Sequence, residues 1–106
     1  MTTFDDRENA YELEFAHQEE VRFKVRERAV RELARWAAEK MNKTGKEGES
    51  YANDIVGNDI VSEKSQLTID RIATDLKAAG ISEQEVGEKM NQLMVKAEAA
   101  IRGSTS

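Results

Sequence analysis

Apolar residues recur at helical spacing along most of the chain, in stripes separated by short polar breaks. Apolar positions three and four residues apart share one face of a helix, so the stripes predict helices near residues 18–42, 45–60, 66–79 and 83–102. Helices joined by short connections pack side by side, and the predicted fold is therefore all-α, a four-helix bundle. The residues expected to face its core are Val25, Ala29, Val30, Leu33, Trp36, Ala37, Met41, Tyr51, Ala52, Ile55, Val56, Ile69, Ile72, Ala73, Leu76, Val86, Met90, Leu93, Met94, Ala97 and Ile101.

The first helix break is predicted at NKTGKE, residues 42–47, where Thr44 and Glu47 have the spacing of a capping box for the second helix. The second helix is expected to run out into a turn around Gly57. This glycine lies within the near-repeat NDIVGNDIV, whose five-residue period fits neither a helix face nor the ligand spacing of a calcium loop.

The later helix ends also carry capping signals. Gly80 is expected to end the third helix, since glycine adopts the left-handed conformation that often follows a helix. Ser82 and Glu85 form a capping box for the fourth helix. Residues 103–106, GSTS, are expected to be a frayed tail.

The N-terminal stretch has apolar anchors that need not belong to this core. Thr3 can cap a helix, and Phe4, Tyr11 and Phe15 then fall on one face. Further along, that face is occupied by polar residues before the bundle's own stripe begins; they are Gln18, Glu19, Arg22 and Arg26. The chain is thus predicted to consist of an N-terminal arm over residues 1–17 and a bundle over 18–102.

Composition and charge narrow the class of protein. The 106 residues include no proline and no cysteine, which favours helices and a reducing compartment and excludes thiolate metal sites. No apolar run resembles a signal sequence or a membrane span, so a soluble cytoplasmic protein is expected. Residues 1–20 carry seven carboxylates against one arginine, and residues 21–43 carry eight basic residues against three glutamates. We interpret the basic block as a solvated helix face rather than a nucleic-acid site, because the aromatic-interleaved loops of RNA readers are missing.

Catalytic and metal-binding signals are missing as well. His17 is the only histidine, and a lone surface imidazole is its expected role. Glycines 45, 48 and 57 do not form a phosphate-binding loop with its lysine and hydroxyl. Trp36 continues the stripe of Leu33 and Ala37 and is expected to be a core anchor. The sequence therefore predicts a protein that is not an enzyme and needs no cofactor or metal.

An ordered series of motifs gives the chain a resemblance to a known family. These are Phe-Asp-x-Arg-Glu at residues 4–8, Phe-Ala-x-x-Glu-Glu at 15–20 and Arg-Phe-Lys at 22–24. The similarity extends through WAAEK at 36–40 to the last helix and so covers nearly the whole chain. In these motifs the chain resembles the zeta subunit of the alphaproteobacterial F-type ATP synthase.

The resemblance implies a function for the arm. A mobile N-terminal inhibitory segment would become helical on inserting into the catalytic head of the ATP synthase, where it would block ATP hydrolysis. It implies a cytoplasmic protein held at the inner membrane through that enzyme, without direct membrane insertion, and it leaves weak ATP or ADP binding open. The residues expected to contact the partner are Phe4, Asp5, Arg7, Glu8, Tyr11, Phe15, Glu19 and Arg22.

Physical reasoning supports this assignment but leaves alternatives. Burying three aromatic anchors yields roughly 6–9 kcal/mol gross, and ordering the arm takes back about 2–5 kcal/mol, so the arm needs help from the body. The basic stretch from Arg22 to Arg35 is a candidate for that help, through steering toward an acidic partner surface. The alternatives are a nucleotide-binding regulatory bundle with little inhibition, and a plain helical homo-oligomer.

Overall fold

In a computed structural model, the described residues of the protein form four helices and one 3-10 turn. The model describes the backbone of residues 3–62 and 65–105, with the side chains of 18–62 and 66–102. The elements are α1 (Thr3–Lys40), α2 (Lys46–Ser62), α3 (Ser65–Leu76), the 3-10 turn Lys77–Ala79, and α4 (Glu83–Thr105). The predicted all-α class with four helices is confirmed.

Helix α1 is longer than the sequence pattern predicts. It has 38 residues and begins at Thr3, rather than near residue 18. No proline or glycine interrupts residues 3–40, so the backbone can continue helically although the apolar stripe does not. Loss of the stripe marks the end of the core and not the end of the helix.

Two special backbone conformations make the connection between α1 and α2. Asn42 is left-handed, with φ of 61°, and the amide of Lys43 donates to the carbonyl of Ala38 at 2.8 Å, as in a Schellman C-terminal cap. Gly45 has φ of 59°, and its carbonyl accepts the amide of Glu49.

Two helix-boundary predictions around α2 are wrong. The Thr44–Glu47 capping box does not form among the described side chains, because α2 starts after Gly45, whose carbonyl accepts the first helical hydrogen bond. Gly57 does not end α2, which continues to Ser62. Packing of the neighbouring Ile55 and Val56 in the core holds this turn of helix despite the low helix propensity of glycine.

The later boundaries follow the prediction more closely. Gly80 is left-handed, with φ of 78°, and ends the 3-10 turn after α3. The amide of Glu85 donates to Ser82 Oγ at 3.2 Å, which confirms the N-terminal cap of α4. Helix α4 runs on to Thr105, so residues predicted as tail belong to the helix.

Helices α1 and α2 pack antiparallel, as do α2 and α3, whose pairs are Tyr51–Asp75 and Asp59–Thr68. Between α1 and α2, Arg26 bonds to Asp59 and Arg31 to Asn53, so the residue number rises on one helix as it falls on the other. The buried apolar residues are contributed by all four helices: Val21, Val25, Ala29, Val30, Leu33, Ala34, Ala37, Ala38, Ala52, Ile55, Val56, Ile72, Leu76, Val86, Met90 and Ala97. Most of the predicted core is confirmed.

Trp36 departs from its predicted role as a central anchor. Its side chain is only partly buried and packs against the core from the side, with Lys89 Nζ lying 5.9 Å from the ring centroid. On the same helix Leu33, Ala34 and Ala37 are fully buried, so these side chains fill the core and the larger indole packs at its edge.

Candidate partner-binding site

Helix α1 extends well beyond the core it helps to build. Its 38 residues span about 57 Å at 1.5 Å per residue, whereas the 17 residues of α2 span only about 26 Å. Among the described side chains of α1, which start at residue 18, the first buried one is Val21, and the molecule measures 63 Å along its long axis against 25 Å across. The N-terminal half of α1 therefore projects past the covered end of the bundle.

The residues predicted to contact a partner divide into two groups. The side chains of Phe4, Asp5, Arg7, Glu8, Tyr11 and Phe15 lie outside the described residues, as does that of His17, although their backbone belongs to α1. Glu19 and Arg22 are described and exposed, and Arg22 Nη1 lies 3.5 Å from Glu19 Oε1. These two lie one helical turn before the bundle closes around α1.

The basic stretch that was predicted to steer a partner is largely paired within the chain. Lys24 pairs with Glu20 at 3.2 Å, Arg26 with Asp59 at 2.6 Å, and Arg35 with Glu49 at 3.3 Å. Most of these pairs are exposed and contribute little to stability, but they cancel much of the local positive field. The positive charge of this stretch is thus less available to an acidic surface than the sequence predicts.

One of these pairs closes the end of the bundle. Arg26 donates from Nε to Asp59 Oδ2 at 3.0 Å and from Nη2 to Oδ1 at 2.6 Å, and Thr68 Oγ1 donates to the same Oδ1 at 2.6 Å. The network ties α1, α2 and α3 together, and the Asp59 side chain is only 8% exposed. The polar gap in the apolar stripe of α1 is therefore a structural clamp at Arg26.

Beside this clamp lies an open groove between α1 and the end of α2. It encloses about 390 Å³. The side chains of Phe23 and Ile60 face it and are 51% and 47% exposed. Its other lining residues are charged: Glu19, Arg22, Arg26, Glu27 and Asp59. We call this the Phe23–Ile60 groove.

The predicted set of contact residues missed both apolar members of the groove. Phe23 precedes the buried residues Val30 and Ala34 by seven and eleven positions, a spacing that continues their face of the helix toward α2. That spacing is the signal that could have found Phe23. Ile60 gives no comparable signal, since its exposure depends on where α2 ends.

A second polar cluster joins α2 and α3 on the outside of the bundle. Tyr51 Oη donates to Asp75 Oδ2 at 2.9 Å, and Arg71 Nη2 donates to Asp54 Oδ2 at 2.6 Å. Burial, followed by the bond to Asp75, raises the pKa of Tyr51, while the bond to Asp54 raises the pKa of Arg71. Tyr51 therefore stays neutral and Arg71 charged, so this cluster holds helices together and supplies no titrating acid or base.

A carboxylate pair lies at the junction of α3 and α4. Gln66 Nε2 donates to Asp70 Oδ1 at 2.9 Å and to Glu83 Oε1 at 3.4 Å. A hydrogen bond to Asp70 and the nearby negative charge of that residue raise the pKa of Glu83, because two adjacent carboxyl groups favour keeping one proton between them. The pair is fully exposed at Glu83 and has no neighbouring histidine.

Other kinds of site are missing from the part of the chain that is described. No group of three or more potential metal ligands occurs among those residues. Within the same ranges, no helix is both long enough and apolar enough to cross a membrane. The described residues form an all-helical protein with a projecting helix and an apolar groove beside it.

A comparison of the sequence with known protein families identifies the family to which the chain belongs. The sequence profile of the family described as ATPase inhibitor subunit zeta matches residues 1–100. The chain therefore belongs to the ATPase inhibitor subunit zeta family, and the resemblance seen in its motifs is confirmed. Searches of curated proteins and of solved structures return no match.

Proposed function

We propose that this chain inhibits ATP hydrolysis by the F-type ATP synthase by inserting its N-terminal helix-forming segment into the catalytic head. The observation that carries the proposal is the continuation of α1 to Thr3, which makes it 38 residues long against 17 for α2, the helix packed beside it. A helix that outruns its own bundle has a face available for another protein. Because the chain belongs to the ATPase inhibitor subunit zeta family, we infer that its partner is an ATPase.

The anchors of the inserted segment would be Phe4, Tyr11 and Phe15, whose spacing of seven and four suits an amphipathic helix bound in a groove. Arg7 and Glu8 would make oriented polar contacts on the same segment. Short helices without tertiary contacts are marginal in water, so we expect residues 1–17 to gain stable helix only on binding. The role is regulatory, and the protein would be held at the inner membrane by its association with the ATP synthase.

Binding of ATP or ADP stays a prediction of weak affinity, through arginine or lysine side chains on a helix face. The described arginines that could contact phosphate are mostly engaged: Arg26 by Asp59, Arg35 by Glu49 and Arg71 by Asp54. This pairing favours the inhibitor assignment over a bundle whose main ligand is a nucleotide.

Deleting residues 2–16 tests the proposal. The truncated chain should retain the melting temperature of the bundle, because every described core residue lies at Val21 or later, and should no longer inhibit ATP hydrolysis by the purified enzyme. Deleting residues 103–106 at the other end is the control and should leave inhibition unchanged. A truncated chain that inhibits as strongly as the intact one would show that the N-terminal segment is not the inhibitory element.

A further inference from the structure

We propose that the Phe23–Ile60 groove is a second docking point for the same ATPase head, one that receives an apolar side chain flanked by a basic residue. This inference rests on the proposed function and adds a contact made by the bundle itself. Its starting observation is the exposure of two large apolar side chains, 51% for Phe23 and 47% for Ile60, facing one groove across two helices. Single exposed apolar residues are ordinary, but a facing pair that lines a concavity is typical of a contact surface.

The groove exists because the apolar contact between α1 and α2 continues to the last turn of α2, where no other described part of the chain covers it. Phe23 continues the face of α1 that carries Val30 and Ala34, both fully buried against the bundle. Helix α2 ends at Ser62, so Ile60 lies within its last turn, and nothing described in the chain covers the pair. A side chain from another protein can complete the seam.

The position of the groove connects it to the arm. Glu19 and Arg22, two of the residues expected to contact the partner, form part of its wall. Sequence positions 4, 11, 15, 22, 29 and 33 are seven or four residues apart, and so fall on one line along a continuous helix. Ala29 and Leu33 on this line are buried in the bundle. A protein bound to the arm's apolar face therefore lies next to the end of the bundle where the groove opens.

When the arm is helical in the bound state, α1 joins it to the groove as one continuous helix. Residues 3–40 form one helix without a proline, a glycine or a loop between the arm and Phe23. A partner that holds the arm therefore holds the groove at a fixed distance, and the second contact needs no further ordering of a linker. This is the help from the body that the weak arm requires.

The charged residues around the groove indicate which kind of residue should lie next to the incoming apolar side chain. Around the groove, Arg26 is satisfied by Asp59, and Arg22 lies beside Glu19. Glu27 is half-buried and makes no ion pair with any described residue. A lysine or arginine next to the incoming apolar side chain would pair with Glu27, and an acidic residue there would be repelled.

The functional test compares Phe23→Ser and Ile60→Ser with Val95→Ser, which alters an equally apolar side chain on α4 that is 70% exposed and lies outside the groove. Each groove variant should raise the concentration needed for half-inhibition of ATP hydrolysis about tenfold, the loss expected for a central apolar contact. Val95→Ser should match the unmodified chain. Melting temperatures show that all three variants fold.

A second measurement locates the contact directly. The chain has no cysteine, so Phe23→Cys, Ile60→Cys and Val95→Cys each carry a single site for an environment-sensitive fluorophore. Adding the purified ATPase should shift the emission of labels at positions 23 and 60 to shorter wavelength and leave the label at position 95 unchanged. Equal shifts at all three positions, or none at 23 and 60, would overturn the proposal.

The arm deletion separates this inference from the proposed function. Loss of inhibition on deleting residues 2–16, together with wild-type inhibition by Phe23→Ser and Ile60→Ser, would reject the groove and leave the arm as the inhibitor. Sedimentation analysis tests the other possible occupant of the groove, which is a second copy of the chain. A dimer that Phe23→Ser dissociates without weakening inhibition would also reject the proposal.

Discussion

Arg26 and Asp59 are 33 positions apart in the sequence and join α1 to α2 through two hydrogen bonds, at 3.0 and 2.6 Å. Thr68 adds a third bond to the same carboxylate from α3. The pair occupies the point where the apolar stripe of α1 lapses, so the bundle ends in a polar clamp. The Phe23–Ile60 groove lies beside this pair.

Removing the Asp59 carboxylate should destabilise the bundle. In Asp59→Ala, the partly buried Arg26 and the buried Thr68 hydroxyl lose their acceptor, which should lower the free energy of unfolding by about 2–3 kcal/mol. Asp54→Ala is the matched control, because Asp54 occupies the same place in the NDIVGNDIV near-repeat and also binds an arginine, but is 60% exposed. Its cost should be about 0–1 kcal/mol. Urea titrations that give equal losses would contradict the clamp.

Replacing Gly57 by alanine should stabilise the protein. Gly57 lies within α2, is exposed, and has no atom within 4 Å of the place a Cβ would occupy. Alanine should therefore raise the free energy of unfolding by about 0.5–1 kcal/mol through its higher helix propensity. The contrasting variant is Gly45→Ala, which should destabilise because Gly45 has φ of 59°. Thermal unfolding followed by circular dichroism measures both.

Trp36→Ala should cost about 2–3 kcal/mol, less than a fully buried tryptophan would, because the indole is only partly covered. Lys89→Gln removes the ammonium group near the ring and should cost less than about 1 kcal/mol. Chemical denaturation monitored by the fluorescence of this single tryptophan suits the lysine variant, and circular dichroism suits Trp36→Ala. A loss near 5 kcal/mol would place the indole in the core after all.

Phe15→Ala should weaken inhibition while leaving the bundle intact. Position 15 lies in the predicted arm, and every described core residue lies at Val21 or later, so the melting temperature should fall by no more than a few degrees. Inhibition of ATP hydrolysis should weaken about tenfold or more, the loss expected when an aromatic anchor is truncated. Unfolding of the variant would instead assign Phe15 to the core.

The Asp70–Glu83 pair should stabilise the folded bundle slightly at low pH. The folded-state pKa of Glu83 is raised, so the folded chain binds more protons than the unfolded chain around that pKa, and this contribution is lost as the pH rises through it. Glu83→Gln abolishes the titration. The melting-temperature difference between wild type and Glu83→Gln should therefore change in favour of the variant as the pH rises from below the ordinary glutamate pKa through the raised pKa of Glu83. A difference independent of pH would contradict the coupling.

Much of the fold follows from the sequence because the signals are local. The helical period of residues such as Leu33, Ile72 and Val86 predicts which faces are buried, and the Ser82–Glu85 and Gly80 signals predict helix ends that the structure confirms. The motif series likewise identifies the family, since it spans nearly the whole chain. These features depend on residues a few positions apart, which a pattern can register.

The tertiary structure decided what depends on distant residues. Arg26 looks like an interruption of a stripe until Asp59 and Thr68 approach it from other helices. Trp36 has the spacing of a core residue, but Ala34 and Ala37 are the fully buried residues beside it and its ring lies at the edge of the core. The groove at Phe23 and Ile60 exists only because α2 ends at Ser62, while the N-terminal half of α1 continues past that end of the bundle. A linear pattern records which residues share a face, whereas packing decides where that face is covered.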